Sequence, residues 1–311
     1  MTEIAISLAL LALGFGMLAK GADWFVEGAS SIAARFGIPQ LVIGLTIVAM
    51  GTSTPEAAVS ISAALRGSAD ITIGNVLGSN ILNILVILGL SAAVAPLSIE
   101  KSTMRVELPF LIAVTGVLFI QGRSGTVGFG EGVVLWLLFG IYFVYLCWMA
   151  QKGRGMETAV SRKERALWQS LVGTVVGLAL IVAGSSVAVD GATDLARILG
   201  MSERLIGLTI VALGTSLPEL FTSVSAAARG NTDIAVGNIV GSNIFNILFV
   251  VGTSALVTPV PFAPAFETDA WVAMGTGLLL LVCSARNRRL GRLGGGALLA
   301  GYGAYFVLVL L

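Results

Sequence analysis

Apolar residues run along this chain in long blocks separated by glycine, proline and short charged stretches, and the two-residue alternation of a half-exposed strand is missing. Blocks such as 108–120, 133–149 and 275–282 carry no charge at all. This pattern predicts membrane-spanning helices and speaks against a transmembrane barrel, whose strands alternate between lipid and lumen. Cut at its Gly, Pro and charged punctuation, the first half yields five spans near 4–34, 40–64, 70–91, 105–121 and 129–150. The second half repeats them near 166–197, 203–228, 233–256, 267–285 and 293–311. The stretch from Thr2 to Ala19 lacks a basic start and continues into Lys20-Gly-Ala-Asp23, so it reads as the first span rather than a cleavable leader.

A shift of 163 residues lays Ile43 to Gly89 over Ile206 to Gly252 with about 30 of 47 positions identical, an internal repeat. The predicted organisation is a first five-helix repeat over 1–150, a short basic linker over 151–165 and a second five-helix repeat over 166–311. Five crossings leave the chain on the opposite face, so the second repeat enters inverted. Counted by loop with the N-terminus outside, about 13 Lys and Arg fall inside and about 4 outside, which places both termini on the extracytoplasmic side of a prokaryotic plasma (inner) membrane. The predicted fold is thus an all-α polytopic membrane protein of ten transmembrane helices, in two inverted repeats with broken helices at a central ion site.

Composition narrows the chemistry. At 56% hydrophobic and 11% charged residues, the 311-residue chain is not a water-soluble globule, and its formal net charge of +1 gives no basic surface for nucleic acid. Histidine is absent, which removes the usual general base, proton shuttle and imidazole metal ligand, so any metal must be held by oxygen. Cys147 and Cys283 read as small residues of apolar spans, without a disulfide. Ser53 and Ser216 lack a histidine base and no nucleotide-binding G-x-x-x-x-G-K-[ST] run exists, so no enzyme and no cofactor is expected.

The polar residues that remain inside the spans come in pairs. Gly51-Thr-Ser-Thr-Pro-Glu56 returns as Gly214-Thr-Ser-Leu-Pro-Glu219, and an acid at membrane depth is expensive enough to count as functional by default. Pro55 and Pro218 break their helices and are expected to free the carbonyls of Gly51 and Gly214. Ala49, Thr52, Ser53 and Glu56 share one helical face, as do Ala212, Thr215, Ser216 and Glu219. The next span carries Asn75, Ser79 and Asn83 as a second polar stripe, mirrored by Asn238, Ser242 and Asn246. Carboxylates, hydroxyls, amides and carbonyls are hard ligands suited to Ca²⁺ or Na⁺. Asn80 and Asn243 read as helix-bridging amides, Asp70 and Asp233 as N-caps, Trp136 and Trp148 as lipid or interface anchors, and Lys20, Asp23 and Glu27 as an interfacial anchor with an ion pair.

The doubled motifs G-T-S-x-P-E and G-N-x-x-G-S-N-x-x-N resemble the α-repeats of the sodium/calcium exchangers, within the calcium/cation antiporter superfamily. That resemblance implies that Glu56 and Glu219 bridge a central calcium, that Thr52, Thr215 and the carbonyls of Ala49 and Ala212 complete calcium and sodium sites, and that Ser53, Ser79, Asn83, Ser216, Ser242 and Asn246 surround them. It also implies that the first and sixth spans slide past a fixed core. The chain departs from the pattern at Asn246, where some relatives carry Asp, and at Gly78 and Gly241, where proton/calcium relatives tend to carry an acid. Fixed charge in the core then comes from Glu56 and Glu219 alone. The expected function is a secondary antiporter exchanging Ca²⁺ for Na⁺ across the lipid bilayer, with a Ca²⁺/H⁺ antiporter as the alternative and a cation channel behind it.

Overall fold

The computed structural model describes residues 2–153, 166–201, 210 and 212–310. Residues 154–165 of the expected linker, residue 202, and 203–209 and 211 of the expected seventh span lie outside the described residues, as do the side chains of Asp70 and Ala212. In chain order the helices are α1 (Thr2–Phe36), α2 (Gln40–Thr52), α3 (Thr54–Leu65), α4 (Ile71–Val94), α5 (Thr103–Gly122), α6 (Phe129–Lys152), α7 (Leu167–Ile198), α8 (Ala212–Thr215), α9 (Leu217–Ala228), α10 (Thr232–Val257), α11 (Ala265–Ala285) and α12 (Arg292–Leu310). Among the described residues seven helices are long and apolar enough to cross a membrane, or eight if the bent pair α2 and α3 forms one span.

Burial separates a centre from a periphery. The most apolar stretch of α10 is 94% buried and that of α4 78%, whereas α6 is 17% buried and leaves Leu137, Ile141 and Val144 exposed. A helix apolar all round but bare on most of its surface faces lipid; one covered on every side forms the core. Both central helices widen into π turns at equivalent points, over Asn83–Leu88 and Asn246–Val251. Such π segments commonly mark functional positions.

α1 and α7 run antiparallel along a seam of small residues spaced by seven. A Cβ on Gly21 would stand 2.8 Å from the carbonyl oxygen of Gly177, and one on Gly28 2.7 Å from that of Ser170. From the other side, a Cβ on Gly184 would stand 2.9 Å from the Gly14 carbonyl oxygen and one on Gly191 2.9 Å from that of Ser7. Only residues without bulk let two membrane helices come so near.

Two short antiparallel clips tie the ends of the bundle, and neither was legible in the hydropathy. β1 (Leu97–Ser98) pairs with β4 (Arg289–Leu290), and β2 (Thr126–Val127) with β3 (Val260–Pro261). Three smaller expectations are corrected. Asn231 precedes α10 and Asp233 is its second residue, so that acid complements the helix N-terminus rather than capping it. Trp136 is no lipid anchor: its indole N–H donates to Thr253 Oγ1 at 3.2 Å and its ring packs on Phe139 and Phe249. Cys147 is exposed on the helix surface rather than packed in the core.

Candidate functional site

The break that proline predicts falls two residues earlier than the proline itself. Ser53 and Ser216 both leave helical geometry, at φ −79°, ψ 8° and φ −92°, ψ 3°, and each next helix starts with proline as its second residue. Proline belongs there because the first-turn N–H has no intrahelical partner to lose. α2 and α3 meet at a 50° bend, so the straight-helix face of Ala49, Thr52, Ser53 and Glu56 becomes two faces turned about Ser53.

At these breaks the two halves exchange hydrogen bonds. Ser53 Oγ donates to Glu219 Oε1 at 2.9 Å, and Ser216 Oγ donates to Glu56 Oε1 at 3.3 Å. Each serine of one half therefore holds the carboxylate of the other. Behind each glutamate stands an equivalent polar brace. Asn75 Nδ2 donates to Ser60 Oγ at 2.9 Å and to the Glu56 carbonyl at 3.4 Å; Asn238 Nδ2 does the same to Ser223 Oγ and the Glu219 carbonyl at the same two distances. The Oδ1 of Asn238 accepts from Thr52 at 3.0 Å.

Of the residues singled out for cation binding, Thr52, Ser53, Glu56, Ser79, Asn83, Ser216, Glu219, Ser242 and Asn246 are all buried. Thr215 is half-buried at the end of α8, and Ala212 contributes backbone at its start. The Ala49 carbonyl accepts the Ser53 N–H at 3.0 Å and the hydroxyls of Thr52 and Ser242 at 3.3 Å each. It is thus a focus of donors that a cation must displace. The Gly214 carbonyl, expected to be freed for an ion, is instead taken by Ser185 Oγ of α7 at 2.6 Å. No sequence signal pointed to Ser185, because its counterpart in the first repeat is Ala22.

The second oxygen of each carboxylate, Glu56 Oε2 and Glu219 Oε2, is buried without a donor, as are Asn83 Oδ1 and Asn246 Oδ1. Such acceptors, taken out of water and left unpaired, cost free energy unless a cation or proton meets them. Among the described residues no group of three or more His, Cys, Asp or Glu gathers, so the donor set is two carboxylates plus neutral oxygens. That set suits a hard cation and leaves no soft ligand for a thiophilic metal. Packing differs at the two mirrored glycines: a Cβ on Gly241 would lie 2.8 Å from the Leu45 backbone and from the Ala49 Cβ, whereas one on Gly78 would meet nothing within 4 Å. Sequence reasoning missed the braces at Ser60 and Ser223, although the 163-residue repeat preserves both.

Comparison with known proteins extends over the whole chain. The family model described as sodium/calcium exchanger protein matches twice, over residues 6–148 and 169–311. The inner membrane protein YrbG of Escherichia coli (strain K12) is 39% identical over 306 residues, covering 95% of this chain and 94% of that protein. The sodium/calcium exchanger MaX1 of Methanosarcina acetivorans is 32% identical over 353 residues, covering 98% and 99%. A solved structure of the sodium-calcium exchanger NCX_Mj superposes with a TM-score of 0.85 at 33% identity, covering 98% of this chain and 99% of that one.

Proposed function

The chain belongs to the family of sodium/calcium exchanger proteins, and from that premise we propose that it is a secondary antiporter exchanging Ca²⁺ for Na⁺ by alternating access. The observation that carries the proposal is the central set of four buried oxygens without donors, one carboxylate and one amide oxygen from each half. In this reading Glu56 and Glu219 bridge the calcium. Thr52, Thr215 and the carbonyls of Ala49 and Ala212 complete the calcium and sodium sites, and Ser53, Ser79, Asn83, Ser216, Ser242 and Asn246 line them. The solved NCX_Mj structures, from crystals soaked with Na⁺, Ca²⁺ or Sr²⁺, support these cations as substrates.

Electrostatics explains why such a site exchanges rather than leaks. Two carboxylates in one low-dielectric centre repel until a cation separates them, so the unloaded carrier resists occlusion. Crossing only when loaded is exchange. One Ca²⁺ neutralises the pair, while three Na⁺ leave one positive charge in excess. Gly78 and Gly241 stand where proton-coupled relatives tend to carry an acid, and the lack of those acids favours sodium over protons as the counter-ion.

Ten crossings in two inverted repeats complete the reading. The clips support it, since each joins loops that this layout puts on one side of the membrane: 97–98 with 289–290 inside, and 126–127 with 260–261 outside. The antiparallel seam supports the inversion, because α1 and α7 are equivalent elements of the two repeats. We place the protein in the inner membrane of a prokaryote, with both termini outside. Radiolabelled Ca²⁺ uptake into proteoliposomes loaded with Na⁺, with K⁺ or with acid tests the coupling. Uptake driven by outward Na⁺ is the expected result; uptake driven by acid and indifferent to Na⁺ makes the protein a Ca²⁺/H⁺ antiporter instead.

A further inference from the structure

One pair of buried amides at the centre lies outside the ligand set. Asn80 and Asn243 occupy equivalent places on α4 and α10, and each donates its side-chain amide to the other's backbone carbonyl, at 3.1 and 2.9 Å. Their side-chain oxygens are used as well. Asn83 Nδ2 donates to Asn243 Oδ1 at 2.9 Å, and Asn246 Nδ2 donates to Asn80 Oδ1 at 3.3 Å. The four amides thus form a closed clasp across the two halves, in which every N–H₂ points inward to the clasp. What remains on its outside is Asn83 Oδ1 and Asn246 Oδ1, both buried and without a donor.

An asparagine side chain is nearly symmetric in shape but opposite in polarity at its two ends. A half-turn of the side-chain amide replaces the oxygen with two N–H donors, which repel a cation. Nothing in the residue itself prevents that turn. We propose that Asn80 and Asn243 are positioning residues for cation binding: by offering an acceptor to the amide nitrogens of Asn246 and Asn83, they fix both carbonyl oxygens toward the ions. A partner that offered a donor would choose the other orientation, so the choice lies in the acceptor and not in packing alone. The inference rests on the proposed cation site.

Its test exploits the fact that aspartate, unlike asparagine, has oxygen at both ends and needs no orienting. Ca²⁺ and Na⁺ half-saturation are measured for the purified full-length protein in four forms: wild type, Asn80→Leu, Asn246→Asp and Asn80→Leu/Asn246→Asp. Losing the orienting bond in Asn80→Leu is expected to weaken both cations about tenfold, the usual effect of removing one buried hydrogen bond. In the Asn246→Asp background the same Asn80→Leu change is expected to alter affinity by less than about twofold, because no amide remains to turn. Asn243→Leu with Asn83→Asp repeats the test on the other half. An equal loss in both backgrounds identifies Asn80 as a helix-bridging amide only and overturns the proposal, as does an unchanged affinity in Asn80→Leu. Failure of wild type to bind either cation overturns the cation site itself, and the proposal with it.

Discussion

The centre and the flank of this protein treat the repeat in opposite ways. At the centre the bonds around the two glutamates have their counterparts: Ser53 holds Glu219 while Ser216 holds Glu56, and Asn75 is braced as Asn238 is. At the flank the correspondence fails. Asp23 of α1 accepts from Arg229 Nη2 at 2.8 Å and from Ser225 at 2.8 Å, with Glu27 3.9 Å from the same guanidinium. The equivalent positions hold Ser186, Arg66, Ser62 and Asp190, and among the described residues Arg66 makes no ion pair. A site that takes ions from either face needs equivalent halves. The walls around it need not match in any one conformation, and under alternating access they cannot both be open at once. The residue that Asp23 meets also revises the expected anchor, since Lys20 sits over the Trp24 ring, 5.8 Å from its centroid, and the ion pair reaches another helix.

The sharpest way to break the comparison is at the carboxylates. Glu56→Gln and Glu219→Gln are each expected to lower Ca²⁺ exchange at least ~100-fold in vesicle uptake, because a dication facing one buried charge is undercompensated. The double variant should be no worse than either single one; retained transport in one of them places the site elsewhere. Next in size, Ser53→Ala and Ser216→Ala each remove a charge-assisted bond to the opposite glutamate and should raise Ca²⁺ half-saturation about tenfold. A clear difference between the two would mean that the centre is less reciprocal than its bonds. Acid should act on both halves together: protons compete with cations for Glu56 and Glu219, so exchange falls as pH falls. Asn246→Asp should steepen that dependence and shift the balance between Ca²⁺ and Na⁺, whereas Asn246→Leu should blunt sodium activation, with Asn83→Leu doing likewise. The smallest effect belongs to the flank. Arg229→Ala should change the exchange rate by about two- to threefold, since a half-exposed ion pair contributes at most about 1 kcal/mol, and Arg66→Ala should leave it unchanged.

Much of this architecture was written in local pattern. The helix ends fall close to the punctuation by Gly, Pro and charge, because those residues act on the backbone within a turn of where they stand. The duplicated motif likewise pointed to the buried oxygens, since few reasons other than a cation keep Glu56 and Glu219 at that depth. What escaped was tertiary. Ser185 reaches the Gly214 carbonyl across 29 residues, Trp136 finds Thr253 across 117, and the clips join loops far apart in the chain. No periodicity encodes such meetings. The π turns at Asn83 and Asn246 were hidden for a different reason: they alter the pitch of a helix without altering its hydropathy.

The seam between α1 and α7 has one more property. Gly14 meets Gly184 and Gly21 meets Gly177, and under the 163-residue shift 184 is the counterpart of 21 and 177 the counterpart of 14. Ser7 and Gly28 are related in the same way through Gly191 and Ser170. In the vocabulary of assemblies this is an isologous contact: one strip of surface, complementary to itself, packed against its own copy about a two-fold axis. A covalently linked chain thereby keeps the interface of a symmetric dimer. Each bulky change in one strip meets the backbone of the other, and a protein joined from two first halves would present the same complementary strips.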